Sequence, residues 1–197
     1  MIAKQMILAG GKVYRDSSGL KRFALEFGLM LVCCVTGVLV KKAINPAANM
    51  ITDFLHIPGG ISTAVSLMFL VIGAGMTKGR FNAGIMGMTQ GFAALSVGMV
   101  GSMGFLLPVA YVVPGAAIDL AMLLPLPREW GRRVKAFLAN IAGSVAAALF
   151  ADIAVFHLPS LALTVYICVA ALSGAVCGYV AGGILAGMEK ISANRED

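Results

Sequence analysis

Charge is what this sequence has least of. Only 12% of its 197 residues are Asp, Glu, Lys or Arg, against 59% hydrophobic, and the mean hydropathy is +0.92. A soluble domain of this length needs more charge to cover its surface, so the chain reads as a membrane protein, with one membrane domain at this length. Catalytic motifs are also lacking. There is no nucleophile elbow, no zincin His-Glu-x-x-His and no Walker A sequence, so no enzymatic activity and no ATP hydrolysis by the chain itself are expected. Cysteine is sparse. Cys33, Cys34, Cys168 and Cys177 all fall in apolar runs, without the spacing of a zinc site or a disulfide framework. They read as buried, inert thiols, and no metal or cofactor is expected. Histidine is limited to His56 and His157, both in loops, where solvation is the ordinary outcome. The pI of about 9.4 does not point to nucleic acid. The basic residues flank apolar runs, where they anchor helix ends and meet anionic lipid headgroups.

What the sequence does have is apolar runs, at 23–40, 61–76, 81–100, 103–124, 136–156 and 161–188. Most approach the ~20 residues that cross a hydrocarbon core. The second is short, and the sixth is long enough to tilt or project. No small-residue cleavage site follows the first run, so it reads as a retained helix.

The cations sort themselves around these runs. Lys4, Lys12, Arg15, Lys21 and Arg22 precede the first, Lys78 and Arg80 follow the second, Arg128, Arg132, Arg133 and Lys135 lie in the fourth loop, and Lys190 and Arg195 follow the sixth. With six spans all thirteen share one side, and only Lys41 and Lys42 lie opposite. The positive-inside rule then puts both termini in the cytoplasm. The expected architecture is an all-α integral membrane protein of six transmembrane helices. Residues 1–22 form a cytoplasmic or interfacial tail, 23–188 the membrane domain and 189–197 a second cytoplasmic tail.

Small residues recur at spacings of three or four: Gly174, Gly178 and Gly182, then Gly183 and Gly187, in the last run; Gly84, Gly87 and Gly91 in the third; Ala24 and Gly28 in the first. Such spacing lets helix backbones approach closely in lipid, either within the chain or, for Ala24 and Gly28, against another membrane subunit. Pro108 and Pro114 each remove a backbone donor, so the fourth helix is expected to bend or break in its outer half. Tyr111 between them offers a ring and a hydroxyl.

Glu26, Gln90, Asp119, Asn140 and Asp152 lie inside apolar runs, where a charge at mid-bilayer costs about 2.5–3.5 kcal/mol on insertion scales and calls for a partner or a role. Glu26 is one turn from Arg22 and reads as an ion pair. Asp119 is within reach of the cations at 128–135, with Asn140 at a similar depth; a structural role and a functional one both stay open. Gln90 reads equally as glue between helices or as a group facing a ligand. Asp152, near the outer end of its run, is the candidate for a group facing an outward cavity. The first external loop, 41–60, is the longest. Its Ala47, Met50, Ile51, Phe54 and Leu55 recur at helical spacing, as an amphipathic segment resting on lipid or a lid over a pocket.

Several stretches carry a family resemblance: His56-Ile57-Pro58-Gly59-Gly60, Gly87-Met88-Thr89-Gln90-Gly91 and Pro114-Gly115-Ala116-Ala117-Ile118-Asp119. With six short helices and a long first outer loop, the chain resembles, over 23–188, the S-components of energy-coupling factor (ECF) transporters. These are the membrane-embedded substrate-binding subunits of vitamin and trace-nutrient importers. The Gly-x-x-Gln-Gly pattern is similar to the third helix of hydroxymethylpyrimidine/thiamine-type members. The resemblance implies a multi-pass protein of a prokaryotic plasma membrane, in contact with lipid. It would bind one small nutrient in its outer half and be coupled to a T-component and two cytoplasmic ATPases. The expected substrate-binding residues are Gln90, Tyr111, Asp152 and His56, and the expected docking residues are Ala24 and Gly28, a departure from the family's Ala-x-x-x-Ala. The chain begins Met-Ile-Ala, so the Met-His metal-binding end of cobalt and nickel members is not carried over. Two rivals remain: a small channel or exporter with Asp119 and Asp152 lining the pathway, and a non-transporting scaffold held by its glycine faces.

Overall fold

The computed structural model describes residues 2–54, 61–77, 79, 81–99, 101–125 and 131–193. Among these there are six α-helices and no strand: α1 Ile2–Phe54, α2 Ile61–Met76, α3 Asn82–Ser96, α4 Leu107–Leu123, α5 Gly131–Ala151 and α6 Ser160–Ala193. A 3-10 segment, Gly101–Leu106, leads into α4, and a π-helical turn, Asp152–Phe156, closes α5.

Four segments among the described residues are long and apolar enough to cross a membrane: Ala24–Ile51, Met103–Leu123, Gly131–Phe156 and Ser160–Met188. Their outward faces carry large apolar side chains, including Leu31, Val35 and Leu39 of α1 and Leu172, Val176 and Val180 of α6. A surface of that kind is stable against lipid and not against water. The chain is a membrane protein.

Six full spans are not confirmed among the described residues. α2 and α3 have 16 and 15 residues, about 24 and 22 Å at 1.5 Å per residue, short of the ~30 Å hydrocarbon core. α2 makes contacts with all five other helices, and Leu67, Leu70 and Val71 on it are fully buried. A helix apolar all round is what burial inside protein requires, and its sequence resembles that of a span. α3 stops short of residue 100 because Gly98 adopts φ +75°. The Met99 N–H then bonds the Ala94 carbonyl at 2.9 Å, and the Gly98 N–H bonds that of Leu95 at 3.0 Å. This is a Schellman closure.

Two other expectations are corrected. The fourth segment breaks at Gly104, where φ is 53° and ψ −131°, and Pro108 sits in the first turn of α4, where no intrahelical N–H is needed. Only Pro114 lies inside the helix. The first external loop is helical through Phe54, as a continuation of α1 past Pro46. Ala47, Met50, Ile51 and Phe54 are exposed on that extension.

The glycine spacings are used within the chain. A Cβ on Gly178 or Gly182 would lie 2.8 Å from the carbonyl oxygen of Phe137 or Arg133 on α5. One on Gly91 would lie 2.5 Å from Pro108 Cα, and one on Gly115 2.5 Å from the Ala83 carbonyl oxygen. The α5–α6 and α3–α4 pairs are thus backbone-to-backbone seams that no side chain can enter. In contrast, a Cβ on Gly28, Gly183 or Gly187 meets nothing within 4 Å.

Candidate functional site

The helices line a partly open cavity of about 320 Å³, at the lower end of the range for small-molecule sites. It lies among the C-terminal part of α1, the start of α2, the α3–α4 connection, the start of α4, the end of α5 and the start of α6. That is the end of the bundle on which the sequence reading places the outer loops.

Each wall follows from local sequence. On α1, Lys41, Asn45 and Asn49 recur every fourth residue and so share one face. On α2, Ser62 and Thr63 occupy the first turn, the end where the helix dipole is positive. On α4, Ala110, Tyr111 and Pro114 line the cavity. Pro114 has no N–H, so it leaves the Ala110 carbonyl without its helical donor. On α5, Ser144 is followed by Ala147, Ala148 and Ala151, whose small side chains create the space. Phe156 and Tyr166 close the far wall in an edge-to-face pair, with centroids 6.4 Å apart at 88°.

Two polar groups define the electrostatics. Lys41 Nζ donates to the Tyr111 hydroxyl at 2.7 Å and lies 4.6 Å from that ring's centroid. Tyr111 itself is 4% exposed. Ser144 is 2% exposed, and its Oγ has no hydrogen-bond partner. One turn away, Asn140 donates to the Gly174 carbonyl at 2.9 Å, while its Oδ1 has no partner. Buried polar atoms of this kind are rare because they cost about 1–3 kcal/mol each.

The residues expected to bind substrate are not gathered in one place. Tyr111 lines the cavity. Gln90 does not: it is wholly buried, accepts from Ser66 Oγ at 3.1 Å and donates to the Cys34 carbonyl at 3.4 Å, which ties α1, α2 and α3 together. Asp152 is also outside the lining. Its Oδ1 accepts the Leu158 N–H at 2.7 Å and its own carbonyl accepts the N–H of His157 at 2.9 Å. His157 takes the left-handed conformation, φ 48°. The carboxylate thus fixes the turn that presents Phe156. His56 lies outside the described residues. Ala24 is exposed and Gly28 half-buried, on a stretch of α1 that an added Cβ at Gly28 shows to be unobstructed.

Asp119 and the thiols differ from expectation. Arg128 lies outside the described residues, and Asp119 is held by backbone donors. Its Oδ1 accepts the Ala83 N–H at 3.0 Å and its Oδ2 the Gly84 N–H at 2.8 Å. A carboxylate of α4 thereby caps the N-terminus of α3 across a helix seam, satisfying donors that every helix start leaves open. Cys33 and Cys34 are buried, but Cys168 is exposed on α6.

Sequence reading missed Lys41, Asn45, Asn49 and Ser144. The fourfold spacing of the first three was visible, but the apolar run ends at residue 40 and Lys41 and Lys42 counted only as charges of the first external loop. Comparison of the chain with protein-family models, with curated proteins and with solved structures finds no match.

Proposed function

We propose that this chain is the membrane-embedded substrate-binding subunit of an ECF-type importer of a vitamin or related small nutrient. The observation that carries the reading is the cavity. A chain with no nucleotide-binding motif keeps a space of about 320 Å³ between apolar helices and lines it with Lys41, Asn45, Asn49, Ser62, Thr63 and Tyr111. A scaffold has no need of it. The channel reading would draw on Asp119 and Asp152, and both carboxylates are engaged by backbone N–H groups. Coupling to a T-component and two ATPases is part of the proposal, supported by the unobstructed surface around Gly28.

Mass spectrometry of the small molecules that co-purify with the chain, followed by uptake assays with and without candidate T-component and ATPase subunits, tests it. A stoichiometric metabolite whose retention is lost in Ser144→Leu, and whose uptake requires the partners and ATP, is the expected result. Flux through liposomes holding this chain alone would overturn the proposal.

A further inference from the structure

We infer that the cavity takes a small organic anion bearing one carboxylate, held by the Lys41 ammonium. This rests on the reading of the cavity as a ligand site and specifies the charge of what enters it. Lys41 is the only charged side chain among the described residues lining the cavity, and its ammonium donates to a neutral hydroxyl, not to a carboxylate. The acidic residues nearest along α1 are Asp53 and Glu26, about 18 and 22 Å away along the helix axis. Neither Asp119, which caps α3, nor Asp152, which accepts the Leu158 N–H, lines the cavity. An ammonium facing a cavity inside an apolar bundle is unfavourable without a counter-charge, and the occupant can supply one.

The surrounding groups suit an anion. The first turn of α2, through Ser62 and Thr63, brings the positive end of a 16-residue helix to the same space. One fixed positive charge balances one negative charge. A phosphate monoester dianion leaves an excess negative charge between alanine walls, and a cation such as a thiazolium meets Lys41 as a like charge. The ligand's charge thus parts from what the resemblance to thiamine-type members implies. The apolar side, with Met99, Met103, Phe156 and Tyr166, suits a compact hydrophobic body attached to the carboxylate.

Benzoate, with benzamide as its uncharged counterpart, is the minimal probe. Each is titrated onto the full chain in phosphatidylcholine nanodiscs and followed by saturation-transfer NMR. Benzoate should bind in the millimolar range expected of so small a ligand, and benzamide more weakly by roughly 10-fold or more. Lys41→Met should abolish the difference and Lys41→Arg should retain it. Unchanged thermal unfolding of both variants would show that the fold persists, and if Lys41→Met does not fold, Lys41→Gln takes its place. Equal binding of the two probes, benzoate binding that is indifferent to Lys41, or binding of neither probe would each overturn the inference. If benzamide binds as well as benzoate and Ser144→Leu removes it, the cavity remains a ligand site and only the charge assignment falls.

Discussion

Replacing Asp119 separates a structural carboxylate from one that lines a pathway. The side chain is 4% exposed and accepts two backbone N–H groups at 3.0 and 2.8 Å, one on each oxygen. Asparagine keeps a single acceptor, so Asp119→Asn leaves one buried donor unsatisfied and removes the negative charge from the start of α3. A hydrogen bond to a charged group is worth about 1.5–3 kcal/mol, and a carboxylate at a partly buried helix N-terminus up to about 2 kcal/mol. Because these contributions overlap, the expected loss is about 2–4 kcal/mol for Asn, and about 3–5 kcal/mol for Ala, which leaves both donors bare. Reversible unfolding in mixed micelles, monitored by circular dichroism, measures this. Ligand binding per folded molecule should stay close to wild type, because Asp119 does not line the cavity. An Asp119→Asn protein as stable as wild type within about 0.5 kcal/mol, yet stripped of transport, would refute the capping argument and restore the carboxylate to a pathway.

Three further outcomes are expected. Gly178→Val should destabilise the chain by about 1–3 kcal/mol or more, through overpacking against Phe137. Gly183→Val on the same helix should stay within about 0.5 kcal/mol; equal unfolding of the two variants would contradict the α5–α6 seam. Gln90→Leu should lower stability by about 2–4 kcal/mol, since it leaves Ser66 and the Cys34 carbonyl without their partner, while affinity measured on the folded fraction changes little; a selective loss of affinity would return Gln90 to the ligand. Gly28→Leu should reduce co-purification with a T-component and leave ligand affinity within about twofold, less than ~0.5 kcal/mol, because no neighbour within the chain opposes the new side chain; undiminished partner-dependent uptake would remove this face from coupling.

The sequence made the helices legible, and much of their packing. Apolar runs mark α1 and α4 to α6, and the fourfold glycine spacing marks the seams of Gly178 and Gly91. It did not show how α2 is surrounded, because a helix covered by protein needs the same apolar composition that lipid would require. It located the costly polar residues but not their partners. Asp119 could be placed about two turns from the end of its own helix, but its acceptance of Ala83 and Gly84 depends on how α4 slides along α3, which periodicity within one helix does not encode. Lys41 was counted as a topogenic charge for the same reason. Its direction around α1 emerges only once the helix is seen to continue through Pro46.

Polar groups are scarce here, and the way they are used is informative. Gln90 joins α1, α2 and α3, Asp119 of α4 caps α3 across a seam, Asp152 closes a turn, and the amide nitrogen of Asn140 ties α5 to α6. Each consumes hydrogen bonds that an apolar bundle otherwise leaves open. Lys41 and Ser144 do not fit this pattern. One is a cation whose partner is a phenol, the other a buried hydroxyl with no partner against Gly174, and both residues belong to the lining of the same cavity, with Asn45, Asn49, Ser62 and Thr63 around them. A dry void of this kind would be destabilising, but a polar lining admits water. A ligand that reproduces the hydrogen bonds of that water, and adds the charge Lys41 lacks, then binds at the expense of solvent alone. The concentration of polar side chains around one cavity at one end of the bundle is what distinguishes a binding subunit from a chain whose polar residues serve only to hold its helices together.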